Sequence, residues 1–399
     1  MREGWTRVAL GDICEIRKGQ HPLEKTAPGQ YPLVGTAAEW RTSATFDFVG
    51  QAVCIPMVSS TGHGHASLKR VHFVEGEFAV ANIVAAAVTK DPRVVDGRYL
   101  HAYLQTYRDR LLVTLMQGTA NVSLKIADLV NVPVDLPPLD EQRRIVDLIG
   151  SLDATITATD QAVAKAEQAR RAVLTDLLAP PSVVAQATTA RGSSTPAMRE
   201  GWSRVALGDV IAVNPKSPPL AVDAPFITMD AVPVGGRFPA YSEARGSRSG
   251  ARAAGGDTLL ARITPCLENG KVAQIPAAWP ACGGSTELIT LRATDAVIPD
   301  FVFLLATSHS FRRGAEALMT GTTGRQRVSA SDIASVDIDL PPLDEQRRIV
   351  DIISTLDDEV AALKSTARTA RTMRVGLLSE LLSGNHEIPS TYDRLLEAA

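Results

Sequence analysis

A chain of 399 residues that is 45% hydrophobic has room for two or three packed domains and is expected to fold as a soluble globular protein. Lys and Arg number 41 against 44 Asp and Glu, a net charge of −3, which excludes a protein that coats nucleic acid through bulk positive charge; any DNA contact must come from local patches. Aromatics at 5% disfavour single-strand binding by stacking, and the four cysteines, Cys14, Cys54, Cys266 and Cys282, lack the spacing of a zinc site or a disulfide framework.

In chain order, MREGWTRVALGDI opens the sequence at 1–13, and MREGWSRVALGDV returns at 198–210. A second run, LPPLDEQRRIV, stands at 136–146 and again at 340–350. Between these anchors the two halves differ: 14–131 begins CEIRKGQHPLEK, whereas 211–335 begins IAVNPKSPPLAV. The protein is therefore two copies of one plan, sharing a frame but not a filling. The strongest apolar stretch, FAVANIVAAAV at 78–88, is short for a membrane span and contains Asn82, and MREGW carries no signal-peptide hydrophobic region. A cytoplasmic protein with no membrane partner is expected.

In the first half, QAVCIPMVSS (51–60) is β-rich and GRYLHAYLQTYRDRLLVTLMQG (97–118) has helical periodicity. In the second, DTLLARI (257–263) and LITLRA (288–293) are β-rich, and DFVFLLATSHSFRRGAEALMTG (300–321) is helical. Each half then has an irregular loop and a short edge strand, VPVDL at 132–136 or VDIDL at 336–340. Two prolines end that strand and start a long helix, with Asp and Glu in its first turn where the macrodipole favours anions.

Ile353, Val360 and Ala367 recur at heptad spacing, as do Leu356, Leu363, Ala370 and Leu377; the first copy keeps the register with Ile149, Ile156 and Val163, and with Leu152, Thr159, Ala166 and Val173. The helices are expected to stop before PPSVV at 180–184 and near Gly384, giving each about 40 residues, or roughly 60 Å. A helix of that length with one apolar seam needs a partner, and the other copy is expected to supply it in antiparallel sense. The stretch 180–197, rich in Ser, Thr, Ala and Pro, reads as a flexible linker. The expected divisions are a first domain over 1–138, a helix over 139–179, that linker, a second domain over 198–342, a helix over 343–384 and a tail over 385–399. The fold class is α+β: two mixed, mainly β domains separated by two long antiparallel coiled-coil-like helices, in an internal pseudo-twofold repeat.

This arrangement resembles the specificity subunit of type I restriction-modification systems. The resemblance rests on the doubled PPLDEQ, on Gly4-Trp5 with Leu10-Gly11-Asp12, and on Gly201-Trp202 with Leu207-Gly208-Asp209. It extends to GDTLLARITPCLENGKVAQI (256–275), GGSTELITLR (283–292) and MTGTTGRQRVS (319–329), and in the first domain to IPMVSSTGHG (55–64) and VEGEFAVANIVAA (74–86). It implies two target-recognition domains, each reading one half of a split double-stranded DNA site, asymmetric here because the fillings differ. It also implies two adenine-N6 methyltransferase subunits docked on the long helices, joined by two restriction/translocase subunits. S-adenosylmethionine would then belong to the methyltransferase partner and ATP and magnesium to the restriction partner. This chain would hold no cofactor and act as the non-catalytic DNA-binding subunit of the complex.

The residues themselves carry little sign of catalysis. The nearest approach to an Asn-Pro-Pro-aromatic methyltransferase motif is VNPKSPPL (213–220), where Lys216 replaces the second proline and no aromatic follows. GTTGRQR (321–327) lacks the Walker-A lysine spacing, and His63, His65 and His72 come without the Cys or acidic neighbours of a metal site.

Reading DNA calls for Arg and Lys on phosphates, amides on Gly/Ser loops, and Arg, Asn, Gln or Ser at base edges. Candidates in the second domain are Arg245, Arg248 and Arg252 in ARGSRSGARAAGG (244–256), Arg262, Lys271, and Arg325, Gln326 and Arg327, the last three expected beside the edge strand. Those in the first domain are Ser59, Ser60, His63, His65, Lys69 and Arg70, with Gln117, Asn121 and Lys125. Trp5 and Trp202 are expected as core anchors. Glu141, Gln142, Arg143 and Arg144, copied as Glu345, Gln346, Arg347 and Arg348, are expected to form two equivalent docking surfaces for two identical partners. The alternative is a coiled-coil scaffold that never touches DNA; a self-contained modification enzyme is disfavoured by the missing motifs.

Overall fold

The computed structural model of the protein describes residues 2–61, 64–119, 121–179, 199–322 and 324–392. It divides into two compact units, residues 1–160 with 365–399, and residues 161–364. The long helices, Leu139–Leu178 and Leu343–Leu382, are thus not bodies of their own: 139–160 and 365–382 belong to the first unit, 161–178 and 343–364 to the second. A single-seam helix has no core until it buries that seam: Ile145, Ile149 and Leu378 join the core of the first unit, and Leu174, Ile349 and Ile353 that of the second.

In the first unit Thr6–Ala9 pairs antiparallel with Pro133–Leu136, Thr6 opposite Leu136, so the expected edge strand ties the start of the chain to the start of the long helix. Arg7 braces this ribbon through two hydrogen bonds to Asp135, at 2.6 and 3.0 Å. A four-stranded antiparallel sheet runs in the order Cys14–Lys18, Val84–Thr89, Ala52–Pro56, His72–Val74. A second runs Arg41–Ser43, Tyr31–Val34, Glu77–Val80, Phe48–Val49. Ala52–Pro56 is buried at every position, because its alternate residues serve two cores. Val53 and Ile55 face the core that holds the helix Gly97–Thr106, while Ala52 and Cys54 face the core under the second sheet.

The second unit repeats the plan. Ser203–Ala206 pairs with Asp337–Leu340, and Arg204 meets Asp339 at 2.8 and 2.9 Å. One sheet runs Ile211–Val213, Leu288–Ala293, Thr258–Ala261, Val272–Gln274, and the other Glu243–Ala244, Pro225–Ile227, Cys282–Gly284, Ala251–Ala253. Leu260 and Ile289 point to one core, Leu259, Ala261 and Leu288 to the other. The stretch expected to be helical from 300 becomes Pro299–Thr307 and His309–Ala317, broken at Ser308, whose hydroxyl caps the second by accepting from Phe311 N at 3.3 Å. Two short helices, Ile126–Val130 and Ala330–Ala334, were not expected; five residues are too few to show a period.

The heptad rows are the buried face of the long helices. Ile149, Ile353, Val360, Ala367 and Ala370 are buried, and Leu152, Ile156, Val163, Leu356, Leu363 and Leu377 half-buried. Within the first unit Asp153 pairs with Arg374 and Asp160 with Arg371; within the second Glu167 pairs with Lys364 and Arg170 with Asp357. In each unit the partner falls along one helix as it rises along the other, so the pairing is antiparallel.

The second long helix ends with Gly384 in the left-handed region at φ 73°. The described part of the expected tail, 385–392, folds back: Arg2 bridges Glu387 at 2.8 Å, and Ile388 is buried in the first unit's core. The expected linker lies outside the described residues. Among these, no helix is long and apolar enough to cross a membrane. Cys14, Cys54 and Cys282 are buried free thiols; burial pushes Cys14 up to about 12 and Cys282 up to about 11.

Candidate nucleic-acid interface

In the first unit, segments far apart in sequence meet at one end of the Ala52–Pro56 strand. Ser59 N donates to Val122 O at 3.0 Å and Leu124 N to Met57 O at 2.9 Å. Gln117 and Ser123 exchange two backbone hydrogen bonds of 2.9 Å, closing a hairpin that turns at Gly118. Gly118 sits at φ 130°, and a Cβ there would stand 2.3 Å from Asn121 O, so the turn requires glycine. Ser60 N bonds Ser67 O at 2.9 Å and Ser60 Oγ accepts from Lys69 N at 3.1 Å, drawing 65–70 to the same place.

Ser60, His65, Lys69, Gln117, Asn121 and Lys125 are exposed there, with Ser59 and Arg70 half-buried. A cleft of about 320 Å³ opens between 36–38 and the side of the strand end that carries Ser59, Ser60, Lys69 and Arg70. His63 lies outside the described residues.

The second unit builds the same frame with other side chains. Val328 N donates to Arg262 O and Thr264 N to Gln326 O, both at 3.0 Å, and Thr320 and Arg327 exchange two bonds of 2.9 Å. Arg325, Gln326 and Arg327 therefore lie beside 262–264, not beside the edge strand as expected. The hairpin closed by Thr320 and Arg327 turns them onto the continuation of Thr258–Ala261, while Asp337–Leu340 pairs with Ser203–Ala206.

Arg327 meets Glu287 through Nε and Nη2 at 2.8 to 3.1 Å, and this guanidinium holds the Glu287 carboxyl below the usual carboxylate range. Next to the pair, a cleft of about 580 Å³ is bordered by Lys216, Ser217, Gly250, Arg252, Arg262 and Thr286. Three cations and no carboxylate line it, a donor set suited to phosphate. Arg252 Nη1 is steadied by Ser217 O at 3.0 Å.

The remaining nominees are engaged within the domain: Arg245 and Arg248 by their own loop, Lys271 by a distant turn. Arg248 bridges Glu243 at 2.6 Å and stacks over the Phe226 ring at 4.4 Å; Arg245 Nη1 bonds Gly246 O at 3.0 Å; Lys271 Nζ bonds Met229 O at 2.8 Å. Sequence reasoning missed Glu287, and it met Lys216 only in a rejected catalytic motif. No local pattern marks either residue, because their neighbours arrive from strands distant in the chain.

The starts of the long helices need a correction. Glu141 is 8% and Gln142 0% exposed. Glu141 accepts from Trp5 Nε1 at 3.3 Å, and Glu345 accepts from Trp202 Nε1 at 2.9 Å. Gln142 Nε2 donates to Val94 O and Pro137 O, and its Oε1 accepts from Asp96 N, all at 2.9 Å. Gln346 makes the matching three bonds, at 3.0 Å, to Ala296 O, Pro341 O and Ile298 N. These four side chains are internal joints that fasten the long helix to the ribbon and to the helix of its unit, not exposed docking groups. Only an amide can both donate and accept in this way. Trp5 and Trp202 are buried anchors, whereas Arg143, Arg347 and Arg348 are exposed and Arg144 is half-buried.

Comparison with known proteins agrees with this plan. Residues 2–168 and 199–370 match the type I restriction modification DNA specificity domain. The chain is 31% identical over 166 residues to the type I restriction enzyme EcoEI specificity subunit of Escherichia coli, covering 39% of this chain and 28% of that protein. It is 37% identical over 99 residues to the EcoAI specificity subunit of the same organism, covering 24% and 17%. The matches thus span less than a third of either relative.

A chain solved in work on complex assembly and conformational transition of the type I R-M system aligns with TM-score 0.59 at 18% identity, over 96% of this chain and 98% of that one. The S subunit of a type I restriction-modification system from M. genitalium aligns with TM-score 0.57 at 13% identity, over 94% and 96%. These two likenesses concern the fold. With both of its repeats matched, the chain belongs to the type I restriction modification DNA specificity domain family.

Proposed function

We propose that this protein is the DNA sequence-specificity subunit of a type I restriction-modification complex, reading an asymmetric bipartite double-stranded site and doing no chemistry itself. The observation that carries the reading is the hydrogen-bond frame at the strand end, the same in both units but bearing different polar and charged side chains, with a cation-lined cleft beside it in each. A common frame presents each unit's loops in the same way, and the difference in lining gives each its own preference. Two adenine-N6 methyltransferase subunits, carrying S-adenosylmethionine, would be placed on the site, and restriction subunits using ATP and magnesium would join them. Arg143 and Arg347, exposed at matching positions of the two long helices, are the candidates for those contacts. A scaffold that never touches DNA gives no role to cation-lined clefts that differ between the repeats.

Methylome sequencing with and without the gene tests this reading. One split, asymmetric adenine-methylated motif should vanish on deletion, and replacing 14–131 with another domain should change one half-site only. No change in any split motif on deletion, or loss of both half-sites on the swap, would contradict it.

A further inference from the structure

The contacts that hold the frame recur in both repeats. Arg7 with Asp135 returns as Arg204 with Asp339, Trp5 with Glu141 as Trp202 with Glu345, and the three bonds of Gln142 as those of Gln346. The Glu287–Arg327 pair does not. Met57 N bonds Ile83 O at 2.9 Å where Arg262 N bonds Glu287 O at 3.0 Å, and Ser123 makes the hairpin bonds that Arg327 makes. Met57, Ile83 and Ser123 of one repeat thus stand where Arg262, Glu287 and Arg327 stand in the other. The frame closes without these charges, so their role lies in what distinguishes the repeats.

Their geometry narrows that role. Glu287 engages Nε and Nη2 of Arg327, the side edge of the guanidinium. A guanidinium has five N–H donors, so both hydrogens of Nη1 and one of Nη2 remain outside the pair, and one from each nitrogen forms a second parallel fork at the tip. The Arg327 side chain is 43% exposed, so solvent reaches it. A parallel fork matches O6 and N7 of guanine in the major groove, and no other base offers two adjacent acceptors there. The carboxylate that grips the side edge removes rotamer freedom before DNA arrives.

Beside the pair, Lys216, Arg252 and Arg262 line the phosphate-suited cleft, and Arg262 Nε is buried with no hydrogen-bond partner among the described residues. A base-reading fork flanked by phosphate-gripping cations is the division of labour that sequence reading requires.

We propose that Arg327 reads a guanine in the half-site taken by the second repeat, with Glu287 as the positioning residue that aims it; this rests on the DNA-reading function proposed above. The test selects duplexes from a library randomised over both half-sites, using the full-length chain with its methyltransferase partners, as wild type, Arg327→Ala, Arg327→Lys and Glu287→Ala. Wild type should select guanine at one position of one half-site, and 7-deazaguanine there should weaken binding about ten-fold.

Arg327→Ala should lose that preference and keep every other position, the other half-site included, whereas Arg327→Lys, whose ammonium can still donate to O6 and N7 but without a pre-aimed fork, should keep part of it. Arg327→Lys keeps the charge, so a mere phosphate contact would leave the selection at every position as in wild type. Glu287→Ala should narrow the preference at the same position alone, with thermal unfolding unchanged. Retained guanine selection in Arg327→Ala overturns the proposal, as does a uniform loss across all sequences, which marks a phosphate contact. Unchanged selectivity in Glu287→Ala removes its positioning role. If wild type selects no sequence at all, the DNA-reading function itself fails.

Discussion

Replacing Gln142 by Glu is the sharpest probe of how the helix start is fastened. The substitution keeps the shape and leaves an oxygen to accept from Asp96 N, but it removes the donor that serves Val94 O and Pro137 O at 2.9 Å each. Gln142 is fully buried and its bond to Pro137 O lies inside, so water cannot replace that bond, whereas the bond to Val94 O is only partly buried. One unmet buried carbonyl at roughly 1–3 kcal/mol, with a smaller loss at the partly exposed Val94 O, puts the cost at about 2–3 kcal/mol at pH 7.

Burial raises the folded pKa of that carboxyl above its unfolded value near 4.3. The penalty is therefore smallest below pH 4.3 and grows as the pH rises. Urea unfolding of Gln142→Glu at pH 4 and pH 7, beside Gln346→Glu in the other repeat, measures it. The two variants should cost similar amounts, since the three bonds are duplicated. A loss under about 0.5 kcal/mol at pH 7, or a loss that shrinks as pH rises, would refute the reasoning.

The ion pairs between the long helices should matter far less. Asp153 and Arg374 are 48% and 33% exposed, so Asp153→Ala should cost under about 1 kcal/mol, and the exchange Asp153→Arg with Arg374→Asp should restore it in a double-mutant cycle. The ribbon should show an acid limb. The Arg7 guanidinium, against the opposing effect of partial burial, holds the Asp135 carboxyl below its ordinary range. Its contribution is present above the unfolded value near 3.9 and is lost as pH falls through the lower folded one. Asp135→Asn should flatten the acid part of the stability curve, and thermal unfolding between about pH 2 and 6 reads it.

Much of the architecture was legible because it is local or periodic. The doubled anchors declare the repeat, the alternation at 336–340 marks a strand that the structure has at Asp337–Leu340, and LITLRA is a strand over its whole length. Ile353, Val360 and Ala367 share a helix face by spacing alone, and that face is the buried one. The candidate site was legible only in pieces. Gly118 and the polar residues around it announce a turn, and the Arg-rich segments announce surface charge, but nothing local says which of them converge.

Glu141 and Gln142 show where pattern reasoning went astray: a repeated polar pair looks like an exposed surface, yet it is repeated because both copies need the same internal joint. By itself, the sequence determined two copies of one plan, the strands and helices of each, and the seam of the long helices, since periodicity and turn chemistry act between residues close along the chain. Only the tertiary structure decided which loops share a cleft, which arginines are spent on their own loops, and that Arg327 meets Glu287 across an interval of 40 residues. Such pairings depend on sheet order and register, which follow from how whole faces pack together and leave no mark in any short window.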